Sequence, residues 1–201
     1  GDWSSDVCSS DLKDVVFQSN PSAWLEKAFA RDGKKVNVGS ECIRFRDEPW
    51  GRENMAESFS VAFRKMENEV IYNCGTISGS SEAMEDLFLQ IYLLCLGAPV
   101  YNPDQAALNL LLSSEAWKSI TRFNDMQSGY AVQLGTVNDP SKIEDFRPKL
   151  LEDKLPYLDG NVVKVSDGNG GEIIPCIVHQ YDRNPEWKRI IEDRFLEDAT
   201  G

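Results

Sequence analysis

The sequence predicts an α/β domain. Short β-rich runs alternate with amphipathic helical runs along the whole chain, and no internal repeat interrupts the alternation. Composition agrees: of 201 residues, 41% are hydrophobic and 27% charged, which excludes wholesale disorder and collagen-like or coiled-coil repeats. The longest apolar stretch, Leu87–Val100, is interrupted by Gln90, Gly97 and Pro99. It therefore falls short of the ~18 residues that a membrane-spanning helix needs.

The elements follow in order. Lys13–Gln18 is a β-rich run closed by the turn signal Ser19-Asn20-Pro21. Pro21 suits the first turn of a helix that Ser19 or Asn20 caps, with Trp24, Leu25, Ala28 and Phe29 on one face and Asp32-Gly33 as its stop. Lys35–Val38 and Ile43–Phe45 read as extended segments, Glu53–Met66 as a helix, and Val70–Cys74 as a strand that continues or turns over Thr76–Gly79. Ser80-Ser81-Glu82 starts a long apolar helix to Leu96, which Gly97 and Pro99 end. Asn102-Pro103-Asp104 opens another over Gln105–Leu112. Trp117–Arg122 and Tyr130–Leu134 are strand candidates, and Asp139–Tyr157 is polar enough to belong on the surface. Val162–Val165 and Ile173–Val178, joined through Asp167-Gly-Asn-Gly-Gly171, predict a β-hairpin, and Pro185–Leu196 a terminal amphipathic helix.

Acidic residues outnumber basic ones, 33 to 21, for a net charge of −12. That excess argues against nucleic acid as a partner, which would need clustered Lys and Arg. A small anion remains compatible, held by a metal, backbone N–H groups or a helix N-terminus. Five cysteines (Cys8, Cys42, Cys74, Cys95, Cys176) form no CxxC pair, so a zinc site is not expected. The last four sit in apolar surroundings and read as buried reduced thiols of a cytosolic protein; the other reading is one disulfide in a lumenal protein.

Residues 1–12 differ from the rest. They are rich in Ser and Asp, lack either hydrophobic period, and have no signal-peptide architecture. The string Ser4–Leu12 resembles a translated sequencing adapter of the kind found at the ends of metagenomic gene predictions; a natural flexible terminus is the other reading. On either reading these residues are expected not to pack on the core.

Four constellations bear on chemistry. Asp11-Leu-Lys-Asp14 places two carboxylates at the edge of a strand, where they can hold one hard divalent cation, or simply form a solvated turn. Asn73-Cys-Gly75 ends a strand in a way that brings an amide and bare backbone near a ligand, or marks a Gly bulge. Asp104 and Gln105 open a helix that also carries Asn109, and the bland role of Asp104 is to cap it. His179, the single His, ends the apolar strand Ile177-Val178 ahead of Gln180-Tyr-Asp-Arg183. It reads as a core histidine, or as a metal ligand or general acid/base.

As an ordered set over about Asp11–Arg183, these motifs resemble nucleotide-sugar glycosyltransferases of the GT-A fold. The similarity is to the retaining families related to glycogenin and the bacterial lipopolysaccharide galactosyltransferases. The resemblance implies the C-terminal portion of a GT-A (Rossmann-like) domain, a mixed sheet flanked by helices, over residues 13–201. It further implies that the βαβ elements which bind the nucleotide precede the acidic motif, so that activity would be impaired in this form. Mn²⁺ or Mg²⁺ would be held by Asp14, Asp11 and His179. Asp104 and Gln105 would be catalytic, with Asn73, Gly75, Asn109 and Arg183 binding substrate. The Asp-x-x-Asp spacing departs from the family's Asp-x-Asp, and Asp11 lies within the adapter-like string. The partners implied are a nucleotide-sugar donor and a glycan or lipid-linked acceptor, in a cytoplasmic or membrane-peripheral enzyme. The competing hypothesis is a non-catalytic α/β carbohydrate-binding or interaction module in which Trp24, Trp50, Trp117 or Trp187 stack on sugars.

Overall fold

The structure is a computed structural model that describes the backbone of residues 7–8 and 13–200 and the side chains of residues 13–193. It is α/β, with mixed sheets flanked by helices. Its spine is β3 (Val36–Arg44), buried from Val36 to Ile43. It is covered on both faces, and Val36, Val38 and Ile43 share it with the buried polar side chains of Asn37, Ser40 and Glu41. The sequence suggested two separate segments here. They are one strand with a bulge: the pairing with β4 (Val70–Tyr72) changes register between Ser40 and Arg44, and Cys42 has φ 58°. Ser40 Oγ accepts from the Cys42 N–H at 2.8 Å and fixes the kink.

β3 also pairs antiparallel with β5 (Ile77–Gly79) and parallel with β6 (Thr121–Asn124). Against this sheet lie α4 (Ser81–Leu96), through Met84, Leu87 and Ile91, and α5 (Asp104–Leu112), through Ala107, Leu108 and Leu112. Residues Val7–Cys8 form β1, paired antiparallel with β5. The expectation that residues 1–12 do not pack on the core falls on side chains, Trp3 included, that lie outside the described residues.

A second sheet sets the site. β2 (Val15–Phe17) and β7 (Ala131–Gln133) flank β11 (Ile177–His179), antiparallel and parallel respectively. The hairpin expected to include Ile177–Val178 is instead a meander of β8 (Tyr157–Asp159), β9 (Val162–Ser166) and β10 (Glu172–Ile173). Pro175, with no N–H to give to a ladder, separates β10 from β11, which joins the other sheet.

The first helix, α1 (Pro21–Asp32), follows its signals: Asn20 Oδ1 accepts from the Ser22 N–H at 2.9 Å, and Gly33 at φ 68° ends it. The expected Glu53–Met66 helix is two, α2 (Pro49–Ser58) and α3 (Ser60–Met66), broken where Phe59 leaves the helical conformation (φ −141°, ψ 59°) and packs, half-buried, against the core. The strand expected at Trp117–Arg122 is a helix, α6 (Glu115–Ile120), before it becomes β6. Ser114 Oγ caps it, and its burial of Trp117 outweighs the β propensity of the local residues. The polar segment Asp139–Tyr157 is not wholly on the surface. After α7 (Leu134–Val137), the short α8 (Ile143–Phe146) inserts Phe146 into the core. The last helix is α9 (Pro185–Thr200).

Tyr130 ties the two sheets together. It is fully buried, its hydroxyl donates to the Thr76 carbonyl at 3.0 Å, and Ser78 Oγ lies 2.8 Å from it. Tyr130→Phe leaves both of these buried partners unsatisfied, and an equilibrium urea titration is expected to show a loss of about 1–3 kcal/mol. A change below a few tenths would mean the bridge contributes little.

Candidate functional site

The pairing register of β2 and β11 brings together residues 165 apart in sequence. His179 lies opposite Val15, so Asp14, one residue before β2, meets the imidazole. The Gln180 N–H donates to the Asp14 carbonyl at 2.8 Å and extends the ladder. Asp14 Oδ1 is 3.2 Å from His179 Nε2, and both residues are almost wholly buried, at 2% and 3% exposure. The sequence expectation that this carboxylate and this ring converge holds.

The contact is not an ordinary hydrogen bond. His179 Nδ1 donates to Gln133 Oε1 at 2.6 Å, and Gln133 Nε2 donates in turn to Thr76 Oγ1 at 2.6 Å. In the neutral ring that tautomer leaves a lone pair on Nε2, aimed at a carboxylate oxygen. Neither Asp14 Oδ1 nor His179 Nε2 has a hydrogen-bond partner. Two buried acceptors facing each other need a proton or a cation between them. Oxygen and imidazole nitrogen are donors that suit Mn²⁺, and carboxylate oxygen suits Mg²⁺. Among the described residues no group of three His, Cys, Asp or Glu side chains is placed to hold a metal ion, and Asp11, the third expected ligand, lies outside them. Among the described residues Asp14 and His179 thus supply at most two of the ligands that a metal would need.

His179 borders a cleft of about 750 Å³, with Asp14 behind it and not among the lining residues. Asn73, Gly75, Asp104, Gln105, His179 and Arg183 all line it, so most of the expected site residues do converge. Asn109 does not. It faces a separate apolar pocket of about 260 Å³, donates to the Tyr72 carbonyl and accepts from the Tyr72 N–H, and so fastens α5 to β4.

Gly75 has a steric reason. A Cβ there would stand 2.5 Å from His179 Cε1 and 2.7 Å from Nε2, so only glycine lets the ring lie against this turn. Asn73 serves it: its Oδ1 accepts from the Gly75 N–H at 2.6 Å, while its Nδ2 donates to Glu41 Oε1 at 2.7 Å. Both ends of the Asn73 amide are therefore committed inside the protein, and its part is to set the shape of the turn. Gln105 is also engaged, with Glu41 and with the Cys74 N–H.

Asp104 is not the helix cap. It is the first residue of α5, Pro103 precedes it as the boundary, and there is no side-chain capping bond. Its Oδ2 accepts from Cys74 Sγ at 3.4 Å, and the half-buried carboxylate faces the cleft. A first-turn carboxylate is favourable there because of the helix dipole. Arg183 reaches Asp14 Oδ2 at 3.4 Å and keeps a half-exposed side chain over the cleft. Of the expected stacking tryptophans, Trp117 is buried, Trp187 packs against a core cluster and Trp24 lies against Tyr130. Trp50, half exposed, remains at the cleft edge.

Glu41 and Glu48 were missed in the sequence. Glu48 caps α2 by accepting from the Trp50 and Gly51 N–H groups. Glu41 is the more consequential. The bulge in β3 sets it in the cleft wall, with Thr136 Oγ1 donating to its carbonyl at 2.7 Å. A carboxylate in the middle of an otherwise buried strand was the available signal. The four described cysteines are free thiols, and burial pushes Cys42 up to about 12, which makes it inert.

Burial raises the Glu41 pKa above its ordinary 4.5, opposed by the bond from Asn73. With the folded value above the unfolded one, the native state binds more protons between the two. Stability contributed by the protonated form is present at low pH and is lost as pH rises through the raised value. Glu41→Gln is expected to remove that fall. The check is the difference in urea midpoint between the two proteins from pH 4.5 upward. A difference that does not vary with pH would contradict the assignment.

Comparison of the chain with protein-family models, with curated proteins and with solved structures finds no match.

Proposed function

We propose that this fold carries out metal-dependent transfer of a sugar from a nucleotide-diphospho-sugar to a glycan or lipid-linked acceptor. The observation that supports it most is the buried pair Asp14 Oδ1 and His179 Nε2, 3.2 Å apart and without other hydrogen-bond partners, beside a cleft lined by Gly75, Asp104 and Arg183. A divalent cation held by Asp14 and His179, with Asp11 as a third ligand, would neutralise the charge that develops on the departing diphosphate.

The chain's own groups divide the remaining work. Arg183 and Lys142, at the cleft, offer cationic charge to phosphate oxygens. Gly75 leaves the room that lets the His179 ring stand in the cleft wall. Gln105 and Asn73, locked on Glu41, keep the wall rigid, so the donor sugar meets a preorganised surface. Asp104 presents a carboxylate to the sugar or to an acceptor hydroxyl. In the overall step the bond from the anomeric carbon to the diphosphate oxygen breaks. A bond from that carbon to an acceptor oxygen forms, and the acceptor proton leaves to solvent or to a carboxylate.

The test uses the protein, Mn²⁺ and a panel of nucleotide sugars, with released nucleotide measured by chromatography. Release that disappears with EDTA is expected. Asp104→Asn should lower it by roughly 10²-fold, as is usual for a lost acid/base or electrostatic group, with little change in Tm. Absence of metal-dependent release from every donor would overturn the proposal, and wild-type turnover in Asp104→Asn would remove Asp104 from the site.

A further inference from the structure

The long helix α4 carries two apolar faces where its place in the fold needs one. Ala83, Met84, Leu87 and Ile91 are buried against the sheet. On the opposite side Leu89, Tyr92, Leu93 and Leu96 are 55%, 59%, 57% and 66% exposed. Their helical spacing sets them in one stripe along the last two turns. Among the described residues eleven large hydrophobic side chains stay exposed, and four of them are here. Apolar residues scattered singly over a surface need no partner, whereas a contiguous stripe marks an interaction surface. No residue of α4 lines the cleft, so the stripe is separate from the site described above.

Charge narrows what covers it. α4 has no Lys or Arg, and the same face begins with the exposed Glu82, Glu85 and Asp86. A helix that lies on lipid headgroups carries Lys and Arg along its polar face, and a net charge of −12 repels anionic lipid and acidic partners. The stripe is instead complementary to its own reversed copy. An antiparallel pair centred between Tyr92 and Leu93 sets Leu89 against the partner's Leu96 and Tyr92 against the partner's Leu93, and each of these contacts occurs twice. The same direction carries the acidic halves apart. Glu82, Glu85 and Asp86 then pass beyond the end of the facing helix, toward the stretch Gly97–Pro103, which has no charged residue. A parallel pair would stack these carboxylates on their own copies. The stripe exposes on the order of a few hundred Å², less than the roughly 800 Å² per partner of a standard interface, which suits a reversible dimer.

We infer that the outer face of α4 is a homodimer interface, in which two copies of the chain pair antiparallel through Leu89, Tyr92, Leu93 and Leu96. The inference is independent of the glycosyl-transfer reading. The two copies repel at long range and attract through the apolar stripe, so salt, which screens only the first of these, strengthens the pairing.

Sedimentation velocity of the 201-residue protein, from about 1 to 200 μM and in ~0.05 and ~0.5 M NaCl, reads the association. A monomer–dimer equilibrium with Kd on the order of 10 μM is expected, tighter at the higher salt. Leu93→Asp, at an exposed position, should weaken it at least ~10-fold with Tm unchanged, because pairing would bury the charge. Leu89→Glu and Leu96→Lys should each weaken it as well. The double variant should recover roughly 3-fold or more over either, since only the antiparallel direction sets the introduced carboxylate against the introduced ammonium. A monomer at every concentration, association that Leu93→Asp leaves intact, association weakened by salt, or no recovery in the double variant overturns the inference. So does flotation with phosphatidylcholine vesicles by a protein that stays monomeric in solution, if Leu93→Asp abolishes it, because the face then belongs to a lipid surface.

Discussion

The site depends on one arrangement: a carboxylate oxygen and an imidazole nitrogen held 3.2 Å apart in a buried place. Asp14 and His179 do not reach that position by themselves. The imidazole is turned by Gln133, Gln133 is turned by Thr76, and the ring lies on a glycine. The same chain explains Gly39, where a Cβ would stand 2.8 Å from Gln133 Nε2 and 3.2 Å from Thr76 Oγ1. Two glycines on different elements thus exist to leave room for one hydrogen-bonded row. Orienting partners of this kind, one shell behind the ligating atoms, are what set which nitrogen of a histidine points at a ligand.

A second buried carboxylate, Glu41, supports the opposite wall. It draws in Asn73 and Gln105 and thereby shapes the turn at Gly75, so the two halves of the cleft meet at that residue. The bulge at Cys42 is the backbone feature that makes this possible. Without the register change in β3, residue 41 would keep the alternation of a regular strand. Strand order, bulge and paired amides therefore act as one scaffold, and loops contribute the more exposed groups, Arg183 and Trp50 among them.

Much of this was legible in the sequence, for identifiable reasons. Strongly punctuated helices such as α1 and α4 carry their limits in Pro, Gly and cap residues, and the structure keeps them. Asp14 and His179 were recognisable because each flanks an apolar strand, and ligands gather at strand ends in α/β sheets. What sequence could not show was long-range. The pairing of β11 with β2 and β7 instead of β9 is decided by tertiary register. The commitment of the Asn73 amide to Glu41 depends on a bulge, and Asn109 faces a different pocket because α5 turns it toward β4. Asp104 missed its expected capping role by one position, the usual scale of uncertainty at a helix boundary.

His179 is the chain's single histidine, which makes the central claim open to one measurement. In the ¹⁵N-labelled 201-residue protein, the imidazole nitrogens give one pair of resonances, followed while Mn²⁺ is added. If Asp14 and His179 present their acceptors to a common cation, paramagnetic broadening of that pair should saturate near one equivalent. It should strike Nε2 before Nδ1, and it should be lost in Asp14→Asn. Imidazole signals that stay sharp through excess Mn²⁺, or that broaden equally in the variant, would contradict the account.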